Sequence, residues 1–150
     1  MTEPYKSTKL MPFDDYSLFP PNNRVGITYI NETYGITLAI EIGSYLGASS
    51  RYIASLLPSE GKLYCVDKFD DYDHRGNIKK KGFGTLYDQF LSNVIISGYT
   101  DKIIPIKNSS INASMILTDL KPDFIYLDAS HKYKDVVDDI NAWYPYLEEK

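Results

Sequence analysis

Cysteine is almost missing from this chain: Cys65 is the only one among 150 residues. One thiol closes no internal disulfide and gives no CxxC or zinc-finger spacing, so a reducing compartment, the cytoplasm, is the expected setting. Long apolar runs are missing as well. No stretch approaches the roughly 18 residues of a membrane span, and the segment from Met1 to Asp15 lacks the basic-then-apolar pattern of a secretory signal. Basic charge is also short, with 16 Lys and Arg against 20 Asp and Glu and a net charge of −4. A general binder of nucleic-acid backbone would need a basic face, so that function class is set aside. What remains, 43% hydrophobic and 24% charged, is the composition of a globular domain, not of a disordered, collagenous or coiled-coil chain.

The chain opens on an irregular arm. Pro4, Pro12, Pro20 and Pro21 interrupt helices, and Asn22-Asn23 adds turn character over residues 1–23. Leu10, Met11, Phe13, Tyr16, Leu18 and Phe19 predict that this arm packs on the domain. Tyr5, Tyr16, Tyr29 and Tyr34 suit ordinary packing better than a lid over a substrate. Residues 24–34 read equally as helix or strand.

From Leu38 onward, short apolar runs alternate with stretches of helical period. Leu38–Ile42, Leu63–Val66, Ile103–Ile106 and Phe124–Leu127 read as buried strands, with Pro105 pointing to an edge. Helices follow each of them. One is expected from Ala48 to Leu57, closed by Pro58 and Gly61, and a second is capped by Thr85 and closed by Gly98. A third, capped by Ser110, carries Ile111, Met115, Ile116 and Leu120. A fourth turns Tyr133, Val136, Val137, Ile140 and Trp143 to one face. Four strand-then-helix units predict one α/β domain, a doubly wound parallel sheet covered on both faces.

Ligands of such a sheet bind beyond the carboxyl ends of its strands, where the strand order reverses. The first strand runs into Gly43-Ser44-Tyr45-Leu46-Gly47-Ala48-Ser49-Ser50, which is neither GxGxxG nor a P-loop. Gly43 permits a tight turn and a close ligand approach. The second strand ends at Asp67, roughly 20 residues on, where a carboxylate suits the two hydroxyls of a ribose; a plain surface loop with Asp70, Asp71 and Asp73 is the other reading. Asn108, Ser109 and Ser110 follow the third strand and suit either a purine edge or a helix cap. Asp128 and His131 follow the fourth and place a carboxylate and a titratable imidazole beside one cleft.

The combination Glu41-Ile42-Gly43-x-Tyr45-x-Gly47-x-Ser49, Val66-Asp67 and Leu127-Asp128-x-x-His131-x-Tyr133-x-x-Val136-x-x-Asp139 resembles the class I S-adenosylmethionine-dependent methyltransferases. It is most similar to the small-molecule and sugar O-methyltransferases related to macrolide and cephalosporin tailoring enzymes, over Ile36 to Leu147. The resemblance implies a Rossmann-like sheet of strand order 3-2-1-4 in this portion, with residues 1–35 as an N-terminal arm or lid and 36–150 as the cofactor-binding part. It implies that Glu41 and Gly43 sit at the methionine end of S-adenosyl-L-methionine, with Tyr45, Gly47 and Ser49 lining the loop and Ser44 among the cofactor-binding residues. Asp67 would then hold the ribose, and Asn108 with Ser109 would border the adenine. Asp128 would face the methionine amine, a magnesium ion or the acceptor, and His131 would lie beside the acceptor as base. The chain has Ser130 and Asn108 where the family often carries acidic residues.

The implied partner is a small-molecule or sugar acceptor, with no membrane and no nucleic acid, in a possible homo-oligomer. A nicotinamide-dependent oxidoreductase and a non-catalytic Rossmann-like interaction domain are the rival readings. A full domain of the resembled family has three further strands, so the expectation is that residues 1–150 form the N-terminal part of a longer chain.

Overall fold

A computed structural model of the chain describes residues 1–14, 19–70 and 85–148; Tyr16, Leu18, Asp71 and Asp73 lie outside them. Four parallel strands form one sheet in the order β3-β2-β1-β4: β1 Leu38–Ile42, β2 Lys62–Asp67, β3 Ile103–Lys107 and β4 Phe124–Leu127. The central β1 pairs Ile42 with Val66 on one side and with Leu127 on the other. Its apolar run is the sequence of a strand covered on both faces, and Ala39 through Ile42 are all fully or almost fully buried. Pro105 sits on β3, at an end of the sheet, where a missing N–H breaks no ladder between two strands.

Among the described residues, five α-helices cover the sheet: α1 Pro21–Tyr34, α2 Ala48–Leu56, α3 Leu86–Ser97, α4 Ser110–Ile116 and α5 Tyr133–Trp143. Side chains alternate across β1, so two cores result. Ala39 joins Leu63, Cys65, Ile27 of α1, Ile53 of α2 and Phe90 of α3 on one face. Ile40 and Ile42 join Val66, Ala113 of α4 and Trp143 of α5 on the other.

Three local expectations are overturned. Pro20 and Pro21 do not interrupt a helix but start one: Pro20 is the N-cap of α1 and Pro21 its first residue, where the absent N–H would have had no partner and φ is already helical. Asn22 and Asn23 therefore lie within the first turn of α1, which also settles residues 24–34 as helix. Ser109, not Ser110, caps α4, and the helix ends before Leu120. Ile111, Met115 and Ile116 point outward, with Ala113 and Ser114 turned in. On α5 the inward stripe is Asp139 and Trp143, whereas Tyr133 and Ile140 are exposed.

The arm's irregular backbone finds its hydrogen bonds on a polar strip of α3 that a purely apolar inner face would not supply. Gln89, Ser92 and Asn93 are buried there. Ser92 Oγ accepts from Met11 N–H (3.0 Å), and Gln89 Nε2 donates to the Pro12 carbonyl (2.8 Å). Asn93 accepts from Asp14 N–H (3.1 Å) and donates to the carbonyls of Asp14 (3.0 Å) and Leu46 (2.9 Å). Tyr5, also buried, donates to the Ile103 carbonyl of the outer strand at 2.9 Å. Buried backbone groups need such partners, and removing them costs about 1–3 kcal/mol per orphaned group. Asn93→Ala is therefore expected to lower unfolding stability in urea by about 2 kcal/mol, against about 1 kcal/mol for Tyr5→Phe. An Asn93→Ala midpoint equal to the native one would contradict this role.

Candidate active site

The strand tips meet at one crevice. There Gly43 N–H donates to the Val66 carbonyl (2.9 Å), Asp128 N–H to the Ile42 carbonyl (2.8 Å) and Asn108 N–H to the Asp67 carbonyl (2.9 Å). Each loop is thus fastened to the strand beside it. Gly43 has φ +92°, and a Cβ there would come within 2.6 Å of the Asp128 carbonyl and Ala129 Cα. The missing side chain makes room for the backbone after β4. Gly47, φ +79°, is the left-handed N-cap of α2 and abuts the Phe90 ring.

Asp67 organises the first loop. Its Oδ2 accepts the N–H groups of Ser44 and Tyr45, each at 2.9 Å, and its Oδ1 accepts from Phe69 N–H at 2.7 Å. A carboxylate offers about four acceptor sites, so one remains at Oδ1 for a ligand. Tyr45 itself is held at φ +47°, a left-handed conformation that side chains rarely adopt.

A cavity of about 580 Å³ lies over these tips, within the range of small-molecule sites. Gly43, Ser44, Tyr45, Ser49, Asp67, Asn108, Ser109, Asp128 and His131 all face it; Glu41 and Gly47 do not. The wall also includes Phe19, Lys68, Asp135 and Asp138, which no motif contains, and Asp139, which closes the motif after β4 without an expected site role. Ser109 Oγ accepts from Asn112 N–H at 3.3 Å, and Asn108 Oδ1 accepts from Ser109 N–H at 2.8 Å, so the capping role is occupied as well. Ser110 Oγ accepts from Trp143 Nε1–H at 2.8 Å. Ser130 Oγ donates to Asp135 Oδ2 at 2.6 Å and fastens the entry to α5 just beyond His131.

Glu41 lies beneath the loop, fully buried, with the hydroxyls of Ser49 and Ser50 donating to its two oxygens. Burial pushes its carboxyl above the ordinary value of 4.5, and those hydroxyls pull the other way. Burial, with the Glu41 charge beside it, also holds the Cys65 thiol well above its usual range. Ser44 Oγ is buried near this group without a hydrogen bond of its own.

Asp128 Oδ2 accepts from the Tyr126 hydroxyl at 3.1 Å. Burial, then the Asp128 charge, pushes the Tyr126 phenol up to about 12. Among the described residues no three His, Cys, Asp or Glu side chains converge as a metal site, so the donors that would accompany Asp128 around magnesium are not found there. Nor, among those residues, is any helix long and apolar enough to cross a membrane.

The raised Glu41 pKa carries a pH dependence. The folded state binds that proton more tightly than the unfolded chain, so the associated stability is complete below about 4.5 and is lost as pH rises through the folded value. Glu41→Gln cannot titrate. Urea unfolding of this variant is expected to show a smaller loss of stability on raising pH from that value toward neutrality. Parallel pH curves for the two proteins would contradict it.

A family model described as a methyltransferase domain matches residues 40–150. A search of curated proteins finds no matching sequence. Similar solved structures include an O-methyltransferase from Bacillus cereus in complex with S-adenosylhomocysteine, at TM-score 0.66 and 15% identity over 96% of this chain and 58% of that one. An O-methyltransferase of tomaymycin synthesis from Streptomyces achromogenes, in complex with S-adenosylmethionine, gives 0.67 and 14% over 89% and 54%. A candidate caffeoyl-CoA O-methyltransferase from Staphylococcus aureus gives 0.68 and 14% over 88% and 55%. The chain thus spans a little over half the length of these neighbours, and the shared fold includes the sheet order found here. With more than two thirds of its residues inside the matched region, the chain belongs to the methyltransferase domain family.

Proposed function

We propose that the chain is the cofactor-binding part of an S-adenosylmethionine-dependent O-methyltransferase acting on a small molecule or sugar. The observation that carries this reading is the cavity at the reversal of strand order, with Asp67 and the Gly43 loop on one wall and Asp128 and His131 on another. Solved structures of the same fold with S-adenosylhomocysteine and S-adenosylmethionine bound support it. The match to a methyltransferase domain, together with the absence of GxGxxG, favours it over a nicotinamide-dependent oxidoreductase or a non-catalytic scaffold. A buried, unpaired thiol at Cys65 suits a cytoplasmic setting. Residues 1–35 serve as an arm that contributes Phe19 to the wall.

The residues fit the cofactor in kind. Among the described residues, the wall carries six aspartates, Asp67, Asp70, Asp128, Asp135, Asp138 and Asp139, against Lys68 as its one lysine or arginine. Such a field favours a ligand bearing sulfonium and ammonium charge. Asp67 has its remaining acceptor site for a ribose hydroxyl, Asn108 and Ser109 border the adenine, and the loop from Gly43 to Ser49 takes the methionine end. Asp128 stands at that same end, since its carbonyl abuts Gly43. S-adenosylmethionine, when bound, supplies a methyl group activated by the positive sulfur. The chain's task is to align an acceptor hydroxyl with it and remove the hydroxyl proton, and His131 at the cavity rim receives that proton.

Calorimetric titration of the full chain with S-adenosylhomocysteine is expected to show micromolar binding, weakened at least about tenfold by Asp67→Ala, which removes both the ligand contact and the loop clamp. No binding at millimolar ligand would sink the reading. For the base, His131→Ala is expected to lower kcat by about 100-fold and to abolish the acid limb of the kcat/KM profile. An unchanged profile would remove His131 from the mechanism.

A further inference from the structure

The Asp128 wall of the cavity is held from near the other end of the chain. The Tyr126 hydroxyl that donates to Asp128 Oδ2 also lies 2.7 Å from Asn23 Nδ2. An ionised carboxylate only accepts hydrogen bonds, and a phenol has a single hydrogen. That hydrogen goes to Asp128, so the Asn23 amide must donate to the phenol oxygen. The direction is fixed: Asn23 to Tyr126 to Asp128. Tyr126 and Asp128 stand two residues apart at the end of β4, so their side chains leave the backbone on one face. The backbone of Asp128 is tied to Ile42. Its side chain is steered by Tyr126 through one oxygen, and among the described residues no hydrogen bond occupies the other.

Asn23 is itself well placed. It is the third residue of α1, a helix whose start is set by Pro21. The next residue, Arg24, lays its guanidinium over the rings of Phe19 (5.3 Å) and Tyr52 (5.4 Å). The Tyr52 and Thr28 hydroxyls share a 2.6 Å hydrogen bond that joins α1 to α2. Phe19 meets the Tyr126 ring edge-on, with centroids 6.3 Å apart. Apart from Tyr52, the brace around the phenol is thus built from residues outside the matched region 40–150.

We propose that Asn23 and Tyr126 are positioning residues that aim the Asp128 carboxylate at the amino-acid end of the cofactor. The proposal rests on the reading of the cavity as an S-adenosylmethionine site. Its probes are S-adenosylhomocysteine and 5′-methylthioadenosine, which keeps the nucleoside and thioether but lacks the amino-acid end. In calorimetry on the full chain, Tyr126→Phe weakens S-adenosylhomocysteine about tenfold and leaves 5′-methylthioadenosine unchanged. Asn23→Ala acts in the same direction by about threefold. The double variant binds no more weakly than Tyr126→Phe alone, because Asn23 works through the phenol. Equal weakening of both ligands by Tyr126→Phe overturns the proposal, as does native S-adenosylhomocysteine affinity in both single variants. Failure of the unsubstituted chain to bind S-adenosylhomocysteine overturns the underlying reading instead, and the proposal with it.

Discussion

One carboxylate, Asp67, ties the tip of β2 to the loop after β1 by accepting the N–H groups of Ser44 and Tyr45. Much of the site follows from that clamp. With both amides bound to one oxygen, the loop holds Tyr45 in a left-handed conformation and delivers Gly47 to the start of α2. The same loop path leaves Gly43 facing the backbone after β4, so that the β1–β4 side closes against it. On the function proposed above, a ligand carboxylate and a structural carboxylate would be the same group. This explains why a residue at a strand tip can be indispensable to the loop and still have an acceptor site turned to the cavity.

Beneath the clamp lies the costliest group in the core. A fully buried Glu41 would be a heavy penalty without donors, and Ser49 and Ser50 at the start of α2 supply them. The helix is thereby pinned to β1 by side chains as well as by packing. Ser44 Oγ, buried beside the same group with no partner, is the one polar atom of this cluster left over.

The sequence carried the strands and the glycine loop because these depend on local pattern. Four apolar runs, each followed by a helix, leave few topologies open, and Asp67 and Asp128 are visible as acids at run ends. What stayed hidden depends on tertiary partners. Glu41 belongs to the loop motif, but nothing local shows that its carboxyl turns toward Ser50 and away from the cavity. Pro20 and Pro21 look like a break because proline's preference for the first helical turn is indistinguishable, residue by residue, from its aversion to the interior. The polar strip Gln89, Ser92 and Asn93 sits on α3 only because an irregular arm needs its backbone satisfied. The inward turn of Asp139, in place of Ile140, likewise depends on the cavity that it lines.

The two walls of that cavity are built differently, and the difference bears on specificity. The β1–β2 wall is backbone held by backbone and by one clamped carboxylate, so a substitution there disturbs the fold as well as the site. The β4–α5 wall presents side chains: an exposed His131, the Ser130–Asp135 pair, and Asp128 steered by Tyr126. Side chains at a loop and a helix entry can be exchanged without moving a strand. A cofactor common to a family places the same demand on every member, and a rigid backbone wall meets it. Acceptors vary, and the wall that varies at least cost is the one carrying His131. On the function proposed above, the acceptor's identity would be written around residues 128–139 and in the arm that reaches them through Phe19 and Asn23, more than in the glycine loop.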